Sequence, residues 1–300
     1  MNERSSLESW RESPRGAADP RDDSSTQEPQ MPSFPRSVDE DYSETIVSRS
    51  RSPLRFFLLV FALSIPFALI GEVTGLQLYP GIPVTALAFV CPATAAAILA
   101  YRENGTAAVT TLLRRSFDYK RIGAKVWYVP IVLLIPGITV LAYGLMRLMG
   151  LPLPTPLLSV PTVLVMLLVF FIMALGEELG WTGYAIDPMQ DRWNALQASI
   201  LLGLVWAGWH IIAMVQAGQS PAYIVWSCLY MVGLRVLLVW LYNNTGKSVF
   251  AISLCHTIIN VVTWSLVPGN SYELQRIMTL IVAVGVAIVT VVWGPRTLAR

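Results

Sequence analysis

Phe170-Phe-Ile-Met-Ala-Leu-Gly-Glu-Glu-Leu-Gly-Trp-Thr-Gly-Tyr184 decides how this chain is to be read. From Val160 onward the sequence is mostly apolar, and the stretch to Trp181 has the length of roughly 20 residues that a helix needs to cross the hydrocarbon core of a bilayer. Near its end it carries two adjacent carboxylates, Glu177 and Glu178. A carboxylate near the bilayer centre costs on the order of 3 kcal/mol by insertion scales, so two in a row must face a protein interior or a wet cavity rather than lipid. The stretch thus implies a membrane span and a polar enclosure beside it.

The rest of the chain agrees with a membrane body. It has 300 residues, 54% hydrophobic and only 13% charged, with a mean hydropathy of +0.56. Soluble domains carry about 25% charged residues. The charges are also unevenly placed, since residues 1–52 hold 11 of the 19 acids and 7 of the 21 bases. That segment is rich in Ser, Pro and charge and lacks aliphatic runs, which predicts a disordered tail. The first apolar run begins only near Leu54, too late for the core of a secretory signal peptide, so the expectation is an uncleaved tail on the cytoplasmic side. The net charge of +2 argues against a nucleic acid partner. Cys91, Cys228 and Cys255 lie in apolar stretches without metal-ligand spacing and read as free core thiols.

Eight stretches have the length and apolarity of spans: 54–72, 82–101, 126–149, 160–181, 196–215, 222–242, 248–267 and 274–293. Helices are required, because an open sheet would leave backbone groups unpaired in lipid. The expected fold is all-α, a polytopic transmembrane bundle of about eight helices in residues 53–300 behind the disordered tail. Pro66, Pro92 and Pro136 are positions where a span could kink or shorten. The basic residues set the orientation. Arg102, Arg114, Arg115, Lys120, Arg121 and Lys125 cluster after the second stretch, and Arg192, Lys247, Arg296 and Arg300 fall on the same side, against only Arg147 and Arg276 on the other. Both termini are therefore expected in the cytoplasm.

The chain has two histidines, and both fall in spans: His210 in Trp206-Ala-Gly-Trp-His210 and His256 in His256-Thr-Ile-Ile-Asn260. Residues four apart share a helix face, which pairs Trp206 with His210 and His256 with Asn260. Singly, a Glu pair at a helix end is commonly an interfacial anchor, and an intramembrane His or Asn is commonly a hydrogen bond between helices. Here they occur together on three helices of a body with little other polarity, which favours one shared site. A carboxylate can serve as general base on a water beside an imidazole, and a second imidazole and an amide can stabilise an oxyanion. Glu177, His210 and His256 are also the donor types of a catalytic zinc site, so a divalent metal such as zinc stands beside the cofactor-free alternative.

The three motifs resemble those of the CPBP family, the intramembrane proteases that include type II CAAX prenyl endopeptidases and bacterial Abi proteins. The family pattern is Glu-Glu-x-x-x-Arg, then aromatic-x-x-x-His, then His-x-x-x-Asn or Asp, each on its own transmembrane helix. Glu177-Glu178, Trp206 with His210, and His256 with Asn260 fill it in order, over a core of about residues 160–262. The resemblance implies an intramembrane endopeptidase in which Glu177 activates water with help from His210. It also implies that His256 and Asn260 hold the oxyanion, with Glu178 as a supporting carboxylate. A membrane-associated or lipidated peptide or protein is then the substrate, met within the lipid bilayer, and the site is expected to open toward the cytoplasm. The better-understood CAAX members imply a glutamate mechanism rather than a metal.

One position departs from the pattern. Where the family has Arg, this chain has Thr182. Thr cannot supply the charge that would hold two glutamates, and this motivates an alternative reading as a catalytically inactive membrane partner of immunity or scaffold type. Arg235, in the sixth stretch, is an intramembrane cation for which pairing with Glu178 is one use. A transporter or proton relay is a third reading, disfavoured because no internal repeat is visible. If the fourth span stopped near 181, Glu177 and His210 would lie at different depths. A fourth helix tilted or extended to about Asp187 would bring them level.

Overall fold

The computed structural model describes residues 51–79, 81–153, 159–266 and 271–300. Of the expected disordered tail only Arg51 and Ser52 fall among them. The described residues contain eight helices long and apolar enough to cross a membrane: α1 Pro53–Thr74, α2 Val84–Phe117, α3 Lys125–Leu148, α4 Val160–Gln190, α5 Ala195–Gln216, α6 Pro221–Asn244, α7 Val249–Leu266 and α8 Tyr272–Trp293. The expected all-α bundle of eight helices is the observed one.

Local chemistry explains where several helices begin and end. Ser52 accepts a hydrogen bond from the Arg55 amide ahead of α1, and Pro53 takes the first helical position, where its missing N–H costs nothing. Gly75 ends α1 in the left-handed conformation at φ 59°. Asn194, Ser220 and Ser271 cap α5, α6 and α8 in the same way as Ser52. Pro66 and Pro136 sit inside α1 and α3 without ending either helix. Pro92 lies in the first turn of the α-helical part of α2, where amides have no intrahelical acceptor to lose. Between α1 and α2 a short antiparallel pair, β1 Gln77–Tyr79 and β2 Ile82–Pro83, turns the chain back.

Two helices run longer than the sequence suggests. α2 does not stop near residue 101 but breaks at Asn104 and Gly105, where Gly105 takes φ 66°, and then continues to Phe117. The polar run Arg102-Glu103-Asn104 marks the end of the span, not of the helix. Beyond the break Leu112 still packs into the core while its neighbours are largely exposed. α4 passes Trp181 through one π-helical turn, Trp181–Ala185, before its last α turn, Ile186–Gln190.

α6 and α7 are the most buried spans. α5 and α8 pack along α6, α4 and α3 pack along α7, and α2 packs along α4. The described chain ends meet at one end of the bundle. The Arg51 carbonyl accepts from Arg192, the Ala195 amide donates to the Arg296 carbonyl, and Asn243 and Asn244 donate to the carbonyls of Thr297 and Leu298. An even number of spans requires that both ends lie on the same side; that they touch is a matter of packing.

Candidate active site

The two carboxylates are placed by two glycines. Gly176 and Gly180 share the face of α4 that crosses α2. A Cβ on Gly176 would lie 2.7 Å from the Phe89 ring and 2.8 Å from its carbonyl, and one on Gly180 would lie 2.5 Å from the Pro92 carbonyl. Only hydrogen fits, as in close helix crossings where small residues recur every fourth position. Glu178, two residues on, projects from the opposite side of α4 into the centre of the bundle. Glu177 is 6% exposed and Glu178 not at all.

Glu178 is surrounded by donors from three helices. Both guanidinium Nη atoms of Arg235 on α6 donate to it, one to each oxygen, at 2.9 and 3.2 Å. His256 Nδ1 on α7 lies 2.9 Å from the same oxygen that accepts the longer bond. The Thr182 hydroxyl, one turn ahead on α4, donates to the other oxygen. Since the carboxylate only accepts, Nδ1 is the protonated nitrogen of His256 in this contact. Bidentate pairing with a buried guanidinium both compensates the charge and fixes the carboxylate plane. The cation expected at Thr182 is thus supplied from α6 by Arg235, with Thr182 adding a hydrogen bond.

Glu177 faces a different neighbour. One of its oxygens accepts from Trp206 Nε1 on α5 at 2.9 Å. Trp206 stands at the middle of the cluster. Its ring meets those of His210 and His256 edge-on at 5.1 and 5.5 Å between centroids, and the Arg235 guanidinium lies 4.2 Å over its face. His210 Nδ1 is 2.9 Å from the Trp206 carbonyl, one turn back. A carbonyl cannot donate, so the proton is on Nδ1 and the Nε2 lone pair is left free. Glu177, His210, His256 and Asn260 all line one cavity of about 540 Å³, which also touches apolar side chains of α1 and α4 such as Phe61, Ile65, Phe170 and Met173. Glu178 is not among its lining residues and sits behind it.

The five residues singled out from sequence therefore divide. Four border a common cavity, and Glu178 holds one of them, His256, in place. What the sequence did not mark is Trp206 as the donor to Glu177 and as the ring that stands edge-on to both imidazoles. The only signal was its spacing of four from His210. The extension of α4 beyond Tyr184 removes the depth mismatch between Glu177 and His210.

A metal fits this arrangement poorly. Among the described residues no three His, Cys, Asp or Glu side chains are grouped so as to hold an ion, so Glu177, His210 and His256 do not make a three-donor set.

The place of the cavity in the bundle bears on one expectation. Its lining runs from Glu177 and His256 toward Ile82, Thr85 and Ala213, near the end of the bundle formed by the connections after α1 and α5. That end is opposite the one where the chain ends meet. Cytoplasmic termini and a site opening toward the cytoplasm were both expected; most of the lining lies in the half of the bundle away from the chain ends, although Leu58 and Phe61 near the start of α1 also border it. The basic-residue count speaks only to the ends of spans, and nothing in it reports which end a cavity faces.

Residues 159–262 match the family model for Rce1-like type II CAAX prenyl endopeptidases. The CAAX prenyl protease 2 of Methanococcus maripaludis is 30% identical over 104 residues, covering 32% of this chain and 38% of the relative. The chain thus aligns with less than half the length of that relative. The matched segment contains all three motifs and bears out the resemblance read from them.

Proposed function

We propose that the chain is an intramembrane endopeptidase that hydrolyses a peptide bond in a membrane-associated substrate by a glutamate-activated water. One observation carries this reading: Glu177, His210, His256 and Asn260, from three helices, line the same cavity within a bundle of apolar spans. The similarity to CAAX prenyl proteases over residues 159–262 supports it.

The roles follow from the hydrogen bonds. Trp206 engages one oxygen of Glu177 and leaves the other for a water in the cavity. Glu177 takes a proton from that water as the water oxygen attacks the peptide carbonyl carbon, while the free Nε2 of His210 orients it by accepting its second proton in a hydrogen bond. The carbonyl electrons move onto oxygen. Asn260 and the Nε2–H of a doubly protonated His256 donate to that oxyanion, and the Glu178 carboxylate on Nδ1 balances the ring's charge. When the C–N bond breaks, Glu177 returns its proton to the leaving nitrogen, giving a carboxylic acid and an amine. Arg235 and Thr182 keep Glu178 in place throughout.

The non-catalytic alternative rested on the missing family arginine. Arg235 supports the catalytic reading instead, because it provides the charge and geometry that Thr182 lacks. Residues 53–300 form the enzyme body. The excess of Lys and Arg at the end that holds both chain termini supports cytoplasmic termini, and the site is then reached from the opposite half of the membrane.

The test is cleavage of transmembrane and lipidated peptides by purified protein in lipid nanodiscs. Glu177→Gln is expected to lower the rate about 10²- to 10⁴-fold, the usual worth of a positioned general base, with chelators leaving the wild-type rate unchanged. Undiminished cleavage by Glu177→Gln would refute the mechanism.

A further inference from the structure

A second, smaller chamber adjoins the first. It has a volume of about 270 Å³, half that of the larger cavity, and shares His210, His256 and Asn260 with it. Its other walls come from α5, α6, α7 and α8, from Ala86 of α2 and from the turn at Gly81–Pro83. The two spaces therefore meet at the candidate catalytic side chains.

Their chemistry differs. The larger cavity is walled on its far side by α1 and α4 side chains that are almost all apolar. The smaller contains Tyr230 of α6, Thr263 of α7 and Gln275 of α8. Tyr230 is 6% exposed and Gln275 5%. Neither the Tyr230 hydroxyl nor the Gln275 amide nitrogen has a hydrogen-bond partner among the described residues. The Ser227 hydroxyl on the same chamber is a third such group. A buried polar group without a partner costs about 1–3 kcal/mol, so these groups call for a partner within the chamber, supplied by water when it is empty and by a ligand when it is filled. The amide nitrogen only donates and requires an oxygen acceptor, whereas the hydroxyl serves either way. Among the described residues that line the chamber there is no Lys, Arg, Asp or Glu. The one charged ring on its wall in the proposed mechanism, His256, is already balanced by Glu178, so a charged side chain or a free carboxylate would enter without a counterion of its own. Uncharged main-chain amides match these orphan groups and carry no net charge.

We propose that this chamber is a subsite for the uncharged polar main chain on one side of the scissile bond, with the Gln275 amide donating to a peptide carbonyl and the Tyr230 hydroxyl pairing with a second peptide group. The apolar part of the same substrate occupies the larger cavity, and the scissile carbonyl sits where the two spaces join. The substrate class is thus an amphipathic peptide whose polarity changes at the cleavage point. This rests on the endopeptidase reading.

The experiment uses the full chain in lipid nanodiscs and two synthetic fluorogenic peptides. One has a leucine-rich stretch followed by an uncharged Ser/Asn/Gly segment, and the other ends shortly after the scissile bond. Gln275→Met and Tyr230→Phe are each expected to raise KM for the long peptide about three- to tenfold, the worth of one neutral hydrogen bond. With the short peptide the ratio of variant to wild type is expected to fall to one. A variant that treats the two peptides as the wild type does would overturn the subsite. Fluorescence anisotropy with the Glu177→Gln protein measures binding without hydrolysis. If the wild type cuts neither peptide, the endopeptidase reading fails, and this arm still decides the subsite. Tighter binding of the long peptide that depends on Tyr230 and Gln275 supports it, and equal affinity overturns it.

Discussion

Replacing Arg235 by methionine tests the arrangement around Glu178 most severely. The guanidinium is fully buried, holds both oxygens of a fully buried carboxylate at 2.9 and 3.2 Å, and lies 4.2 Å over the Trp206 ring. Methionine fills much of the volume but leaves Glu178 with only His256 and Thr182 as partners. Breaking a buried pair from one side costs about 3–5 kcal/mol, because the surviving charge has neither counterion nor water. Loss of the cation over the Trp206 face adds up to about 2 kcal/mol. Arg235→Met is therefore expected to destabilise the protein by at least about 3 kcal/mol, read from denaturant titration in detergent micelles. Arg235→Met with Glu178→Leu removes both charges, and replacing a buried pair by apolar residues is often neutral, so most of that loss should return. Activity should not return with it, since His256 loses its Nδ1 acceptor. Thr182→Arg added to Arg235→Met restores the charge from α4 instead of α6 and is expected to recover stability and cleavage together. A single Arg235→Met change costing less than about 1 kcal/mol, the scale of an exposed ion pair, would show that the guanidinium does not compensate Glu178.

Three further outcomes are expected. Gly180→Ala places a Cβ 2.5 Å from the Pro92 carbonyl, so α2 and α4 must separate. A destabilisation of about 1–3 kcal/mol is expected, with a fall in cleavage that a control at open Gly144 does not show. Trp206→Phe keeps an aromatic ring beside both histidines but removes the donor to Glu177. Loss of a hydrogen bond to a charged group, about 1.5–3 kcal/mol, should lower kcat by more than tenfold, and unchanged kcat would remove Trp206 from the mechanism. For orientation, a cysteine at Gln219, beside the chamber mouth, should react with an impermeant thiol reagent from outside intact cells, whereas one at Thr297 should not. The opposite labelling would invert the assigned topology.

The number of spans and their order were legible in the sequence because lipid enforces a one-dimensional rule. A helix must be apolar for about 20 residues whatever it packs against, so hydropathy along the chain suffices. Intramembrane polarity was equally plain, since Glu177, Glu178, His210, His256 and Asn260 are costly to place in lipid and stand out for that reason. Helix ends were less visible. The break at Asn104–Gly105 falls on a turn-prone dipeptide, but that the helix resumes after it, and that α4 passes through a π turn after Gly180, depend on what the exposed and buried faces meet, and local composition does not encode that.

Which polar group pairs with which was decided only in three dimensions. Thr182 looked like a lost arginine because residues near in sequence were compared, yet the cation arrives 53 positions later from α6. The division between Glu177 facing the cavity and Glu178 locked behind it also lies beyond the sequence, since adjacent residues differ by about 100° around a helix and only packing sets the rotation. The side on which the cavity opens has the same origin. Hydropathy orders the helices along the membrane normal, whereas a cavity arises from how side chains of different helices fail to fill the space between them, and that is settled when they pack.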